Sequence, residues 1–90
     1  MALDVGITEL GHSEPLSAAY HVEDGSLQFS GAPKGVERVT ISDVLGRSVG
    51  ILPWRTDGVI PAPGLPQGVL LVRLFGRHGE ALAGLKLYVP

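Results

Sequence analysis

The eight residues GVLLVRLF, numbers 68–75, decide the fold of this 90-residue chain. They are the most apolar run in the sequence, they are rich in Val and Leu, and a glycine stands at each end of the run. A run of this length and composition favours a central β-strand over a helix. Because Arg73 has to face water, the alternate positions on the other side are predicted to face the core: Leu70, Val72 and Leu74.

Upstream of this run, apolar residues alternate with the period of two that half-buried strands have. Residues 37–42 (ERVTIS) and 47–52 (RSVGIL) are predicted to form a hairpin, with residues 43–46 as its tight connection. On the returning arm, Val49 and Ile51 are predicted to lie on one side. The proline that follows this arm ends it, since proline has no amide proton to give to a central ladder.

A second hairpin is predicted near the start of the chain, over residues 18–31. Asp24 and Gly25 supply the turn, as Asp-Gly does in two-residue hairpin loops. Tyr20 and Val22 are predicted to lie on one side of the first arm. Leu and Phe alternate on the return, so this hairpin also has one apolar face.

Residues 81–89 (ALAGLKLYV) are predicted to form the last strand, and Val59-Ile60 a short edge strand. The count is about seven strands with frequent turn signals, which predicts an all-β, immunoglobulin-like antiparallel β-sandwich. A closed barrel is the alternative. Residues 1–16 have the least pattern and are predicted to be a lead-in or linker, so that residues 17–90 form the sandwich domain.

The composition excludes several classes of function. The net charge is −2, so the chain has no basic field that would hold nucleic acid by counterion release. It has no Cys, which excludes disulfides, thiolate nucleophiles and Cys-based zinc sites. No stretch approaches the roughly 18 apolar residues that a membrane-spanning helix needs, so membrane insertion is not expected. The composition does not indicate an oligomeric state.

Neither catalysis nor a metal site is expected. His12, His21 and His78 are far apart and lack the spacing of metal ligands. No serine lies in a nucleophile-elbow context, and no glycine-rich phosphate loop is present. The sequence therefore predicts a non-catalytic domain without a cofactor.

Two short motifs and one lysine suggest a more specific hypothesis about the function of the domain. The segment VERVTISDVLGRSVG (residues 36–50) places an Asp, a Gly and an Arg between two strands, and LPQGV (residues 65–69) opens the long apolar strand. In order and spacing these motifs resemble the C-terminal sorting domains of the bacterial type IX secretion system. The positions that match, and that the resemblance makes candidates for recognition, are Asp43, Gly46, Arg47, Leu65, Pro66, Gly68, Val69 and Lys86.

The resemblance implies a role in protein transport. In that family, a cargo protein carries the domain, a translocon component of the outer membrane binds it folded, and in many relatives a sorting cysteine peptidase removes it. The implied location is the periplasm in transit, then the outer-membrane surface or the exterior. The immunoglobulin-like domain of the flagellar hook-capping protein has a similar pattern, so a structural or assembly module is an alternative.

Each candidate also has a structural interpretation. Asp43 and Gly46 are typical of a tight turn in which Arg47 pairs with the carboxylate, and Leu65 and Pro66 are typical of a strand entry. Lys86 on an edge strand discourages random pairing and can also steer a partner. Trp54 is either a cap over one end of the sandwich or the anchor of a carbohydrate-binding module, which is the remaining alternative.

Overall fold

The structure, a computed structural model, describes residues 15–90. These residues form seven β-strands and no helix. The strands are β1 (Ser17–His21), β2 (Ser26–Ser30), β3 (Val36–Asp43), β4 (Ser48–Pro53), β5 (Val59–Pro61), β6 (Gly68–Gly76) and β7 (Ala81–Val89). They build two antiparallel sheets, with the orders β1-β2-β5 and β4-β3-β6-β7. The predicted immunoglobulin-like β-sandwich is therefore confirmed.

The fourth strand lies in the larger sheet. In constant-type immunoglobulin domains the fourth strand belongs with the first, second and fifth. Here only residues 44–47 separate β3 from β4. Two strands joined by so short a connection pair with each other as a hairpin, which places β4 at the edge of the four-stranded sheet.

Strand β6 lies between β3 and β7, as its apolar sequence predicts. Leu70, Val72 and Leu74 are almost fully buried, and Arg73 is exposed on the opposite face. The predicted alternation is thus confirmed. The same period continues in β3, where Val39 is fully buried.

The core lies between the two sheets. Burial of each large apolar side chain stabilises the fold by about 1.5–3 kcal/mol, which makes this layer the main source of stability. The small sheet contributes Leu27, Phe29 and Ile60, and the large sheet contributes Val36, Val39, Ile41, Leu70, Val72, Leu74, Leu87 and Val89.

The prediction that Ile51 lies on the same side as Val49 is wrong. The register of β3 and β4 shifts beside Ile41, where Val49 is the extra residue of a β-bulge. After the bulge, Leu52 packs against the core, whereas Ile51 points outward and is 65% exposed. A bulge reverses the sides of a strand, and the alternation of apolar residues alone does not reveal it.

The prediction for Val22 is also wrong. Strand β1 ends at His21, and the amide of Gly25 donates to the His21 carbonyl at 2.8 Å. Val22 therefore lies in the turn and is 60% exposed. Most of the predicted lead-in, residues 1–14, lies outside the described residues.

Candidate recognition site

The two motif segments lie at the same end of the sandwich. Asp43, the last residue of β3, pairs with Leu70 near the start of β6. Gly68, the first residue of β6, pairs with Val89, the last residue of β7. This part of the molecule is named the hairpin end, and it comprises residues 43–47, 62–69 and 88–90. It contains every predicted recognition residue except Lys86.

A single carboxylate organises the β3–β4 turn. Oδ1 of Asp43 accepts hydrogen bonds from the amides of Leu45 and Arg47, both at 2.9 Å. Oδ2 accepts from Nε of Arg47 at 2.7 Å. The Asp43 carbonyl also accepts from the amide of Gly46 at 3.0 Å. Gly46 has a φ of 86°, a conformation that residues with a side chain rarely adopt. The predicted structural roles of these residues are confirmed.

These contacts lower the pKa of Asp43. The backbone N–H of Arg47 contributes most, followed by its side chain and by the backbone N–H of Leu45, while partial desolvation opposes them. Hydrogen bonds to the charged form favour it, so the carboxylate is ionised at neutral pH. The turn is therefore held by a charge-assisted network.

Arg47 is held through Nε of its guanidinium, while the rest of its side chain is largely exposed. Its side chain is 74% exposed, whereas that of Asp43 is 22% exposed. Among residues 15–90, the guanidinium is bonded through Nε to Asp43. An arginine has five N–H donors, so its terminal nitrogens have donors left for an external acceptor.

Sequence reasoning missed Val44 and Leu45. They are the middle residues of the turn, and they are 65% and 75% exposed. Turns favour small polar residues at such positions, so two branched apolar residues there are a signal that was present in the sequence. The Asp43 network fixes the backbone that carries them, and the turn thus presents two apolar side chains beside a guanidinium.

The residues of the second motif divide into two groups. Leu65 packs against the core, and Gly68 has a φ of 109° where the chain enters β6, so both shape the fold. Pro66 is exposed, and Val69 is 44% exposed. Pro66 and Val69 are therefore the members of this motif that a partner can reach.

Lys86 lies apart from the turn. It is an exposed residue in the middle part of β7, and it pairs with Leu71 of β6. Its buried neighbour in the chain is Leu87, so Lys86 faces away from the core. It belongs to the outer surface of the large sheet and not to the hairpin end.

Trp54 lies at the opposite end of the sandwich. Its ring is tilted by 60° against that of Phe29, with 5.3 Å between the ring centroids. The side chain is half-buried and packs against the core, as a cap over this end does. Trp54 also lines an open cleft of about 470 Å³, together with Glu37 of β3 and loop residues such as Lys34.

In the part of the chain that the structure describes, no group of three or more His, Asp or Glu side chains could hold a metal ion. Nε2 of His21 lies 3.1 Å from the side-chain oxygen of Gln28, which it meets across the β1–β2 hairpin. The His78 amide donates to Glu80 at 2.9 Å within the β6–β7 turn. At the hairpin end, the exposed Val44 and Leu45 and the guanidinium of Arg47 are suited to binding by apolar contact and by charge.

The comparisons with known proteins give no match. No family model, no curated protein and no solved structure matches the chain. Residues 15–90 contain no helix of the length and apolar character that a membrane crossing requires.

Proposed function

We propose that this domain is a non-catalytic sorting signal. It directs a cargo protein through the type IX secretion system across the outer membrane, where a translocon component recognises the folded sandwich. A sorting cysteine peptidase then removes it in those systems that cleave the signal. The domain passes through the periplasm, and its destination is the outer-membrane surface or the exterior.

The observation that carries this proposal is the construction of the β3–β4 turn. Val44 and Leu45 are exposed at its tip, and Arg47 lies beside them with its Nε bonded to the Asp43 carboxylate. Arginine is one of the residues that are enriched in interface hot spots, and exposed apolar side chains provide area that a partner can bury. The motif that suggested the transport role thus coincides with a surface suited to protein recognition.

Rigidity also suits the role. A receptor that binds a preformed turn does not have to order it, so less of the binding free energy is lost to conformational entropy. Pro66 and Val69 lie at the same end of the molecule and are accessible. A receptor that binds the turn can therefore contact residues of both motifs at the same time.

The test is a secretion assay in a bacterium that has a working type IX system. Residues 1–90 are fused behind a signal peptide and a fluorescent reporter, and the reporter is measured outside the cell and in the periplasm. Arg47→Ala and Leu45→Ser remove the exposed groups of the turn. Secretion should fall about tenfold or more, as expected when a contact worth about 1.4 kcal/mol is lost.

Two controls make the result specific. A strain without the translocon should retain the reporter, and Arg77→Ala, which changes an exposed arginine in the β6–β7 turn at the other end, should be secreted normally. Deleting residues 85–90 is unsuitable because it removes the buried Leu87 and Val89. Folded wild-type reporter trapped in the periplasm would contradict the proposal and favour the structural or assembly module.

The carbohydrate-binding alternative depends on Trp54 and its cleft. The cleft is open, but the Trp54 ring packs at a tilt on Phe29 and against the core. Sugar-dependent quenching of Trp54 fluorescence would support that alternative. Emission that does not change with sugar would leave Trp54 as a structural cap.

A further inference from the structure

The outward face of the four-stranded sheet carries several apolar side chains. Leu71 and Phe75 of β6 are half-buried there, and Ile51 of β4 is 65% exposed. They line a groove of about 310 Å³. This surface is named the outer sheet face, and its side chains are Arg38, Thr40, Ser42, Ile51, Val69, Leu71, Arg73, Phe75, Lys86 and Tyr88.

All of the charges on the outer sheet face are positive. The cations are Arg38, Arg73 and Lys86, although the whole chain has a net charge of −2. The carboxylates of the described residues lie elsewhere. Glu23, Asp24, Asp57 and Glu80 are in turns and loops, Asp43 bonds to the β3–β4 turn, and Glu37 lines the cleft at Trp54. Within residues 15–90, the sheet face therefore offers these cations no carboxylate of its own.

The three cations lie on one diagonal. Arg38 of β3 pairs with Phe75, which lies two residues after Arg73 in β6. Lys86 pairs with Leu71, which is two residues from Arg73 in the other direction. Diagonal neighbours in an antiparallel sheet are about 7–8 Å apart. Alternate residues of an extended chain repeat at about 6.4–6.8 Å, close to the same interval.

The local packing keeps these cations accessible. The Arg38 guanidinium lies 5.0 Å from the centroid of the Phe75 ring, which holds it over the sheet. Arg73 has Thr40 on one side and Gly84 on the other, both of them small. A Cβ at Gly84 would lie 3.8 Å from Cγ of Arg73, an ordinary van der Waals distance, so the arginine stem lies beside the glycine.

We infer that the outer sheet face binds an extended acidic segment of a partner protein, whose alternate carboxylates meet Arg38, Arg73 and Lys86 in turn. Arginine binds carboxylates with two parallel hydrogen bonds, and the apolar side chains of this face limit competition from water. Three cations on a chain of net negative charge are few for a nucleic acid or an anionic bilayer. The inference stands apart from the sorting role, because its test needs no secretion machinery.

The test uses three acetylated and amidated hexapeptides with the full chain. In the first, glutamate alternates with valine; in the second, glutamine replaces glutamate; in the third, three glutamates precede three valines. Binding is followed by amide chemical shifts in ¹⁵N NMR spectra. The alternating acidic peptide should shift residues of the outer sheet face and should bind several-fold more tightly than the other two. Its affinity should fall as salt is added.

Matched variants assign the contact. Arg73→Gln should weaken binding of the alternating peptide about tenfold, the loss of a contact worth about 1.4 kcal/mol. Arg77→Gln, in the exposed β6–β7 turn, should leave binding unchanged. The inference would be overturned by equal binding of the three peptides, by shifts confined to other surfaces, or by no shifts at millimolar peptide. Tighter binding to oligothymidylate or to anionic lipid vesicles would overturn it as well.

Discussion

Nε of Arg47 lies 2.7 Å from Oδ2 of Asp43, and this ion pair closes a turn whose two middle residues are exposed and apolar. Exposed ion pairs contribute little to global stability, partly because water and salt screen them. The effect of this pair is therefore mainly local. It fixes the backbone that carries Val44 and Leu45, so the turn is shaped before any partner arrives.

The Asp43 network should make stability depend on pH. The pKa of Asp43 in the folded chain is lowered from 3.8, so its contribution is present above that value and is lost as the pH falls through the folded pKa. Asp43→Asn should lower the melting temperature at neutral pH, and the difference from the wild type should shrink below pH 3.8. Thermal unfolding followed by circular dichroism across this range measures it. A difference that stays constant with pH would contradict the assignment.

Gly46 and Gly50 provide a matched pair of glycine substitutions on one hairpin. Gly46 has a φ of 86°, whereas Gly50 lies in β4 without a positive φ, and nothing lies within 4 Å of where its Cβ would be. Gly46→Ala should cost about 1–2 kcal/mol in the free energy of unfolding because of the left-handed backbone. Gly50→Ala should be neutral or stabilising by up to about 1 kcal/mol. Urea unfolding of both variants measures the two free energies of unfolding, and equal changes would contradict the prediction.

The sequence predicts the strands well because each follows from local alternation and from a turn that glycine or proline marks. Strand β6 is the clearest case, since the sequence predicts that Leu70, Val72 and Leu74 face the core and that Arg73 faces water, and the structure confirms all four positions. Ile51 and Val22 were predicted wrongly for a physical reason. A bulge at Val49 and a turn that begins directly after His21 depend on hydrogen bonds between segments, which alternation does not encode.

The candidate site was predictable in part. The motif located Asp43 and Arg47, and turn chemistry anticipated their contact. The exposure of Leu45 was not predicted, although its apolar character in a turn was visible in the sequence. The diagonal of cations depends on the register of β3, β6 and β7, so it emerges only when the strands are paired.

Core and surface substitutions in the large sheet should differ sharply in effect. Leu74 of β6 is fully buried, so Leu74→Ala should destabilise the fold by about 2–5 kcal/mol. Ile51 is 65% exposed, and Ile51→Ala should change stability by no more than about 0.5 kcal/mol. Chemical unfolding of the two variants compares them. A loss of more than about 2 kcal/mol for Ile51→Ala would mean that Ile51 is packed and not available on the outer sheet face.

Lys86 should keep the edge of the large sheet from pairing with other chains. Strand β4, the other edge of this sheet, has a bulge and ends in Pro53. Strand β7 also has a register shift, at Leu82, but it is nine residues long and has no proline. Charged residues on such edges oppose strand pairing between molecules. Lys86→Ile should therefore increase self-association with concentration, as measured by size-exclusion chromatography with light scattering. Lys86→Glu, which keeps a charge, and Lys34→Ile, in the exposed β2–β3 loop, should behave like the wild type. Association of the Lys34→Ile variant to the same degree would show that added apolar surface, and not the strand edge, is the cause.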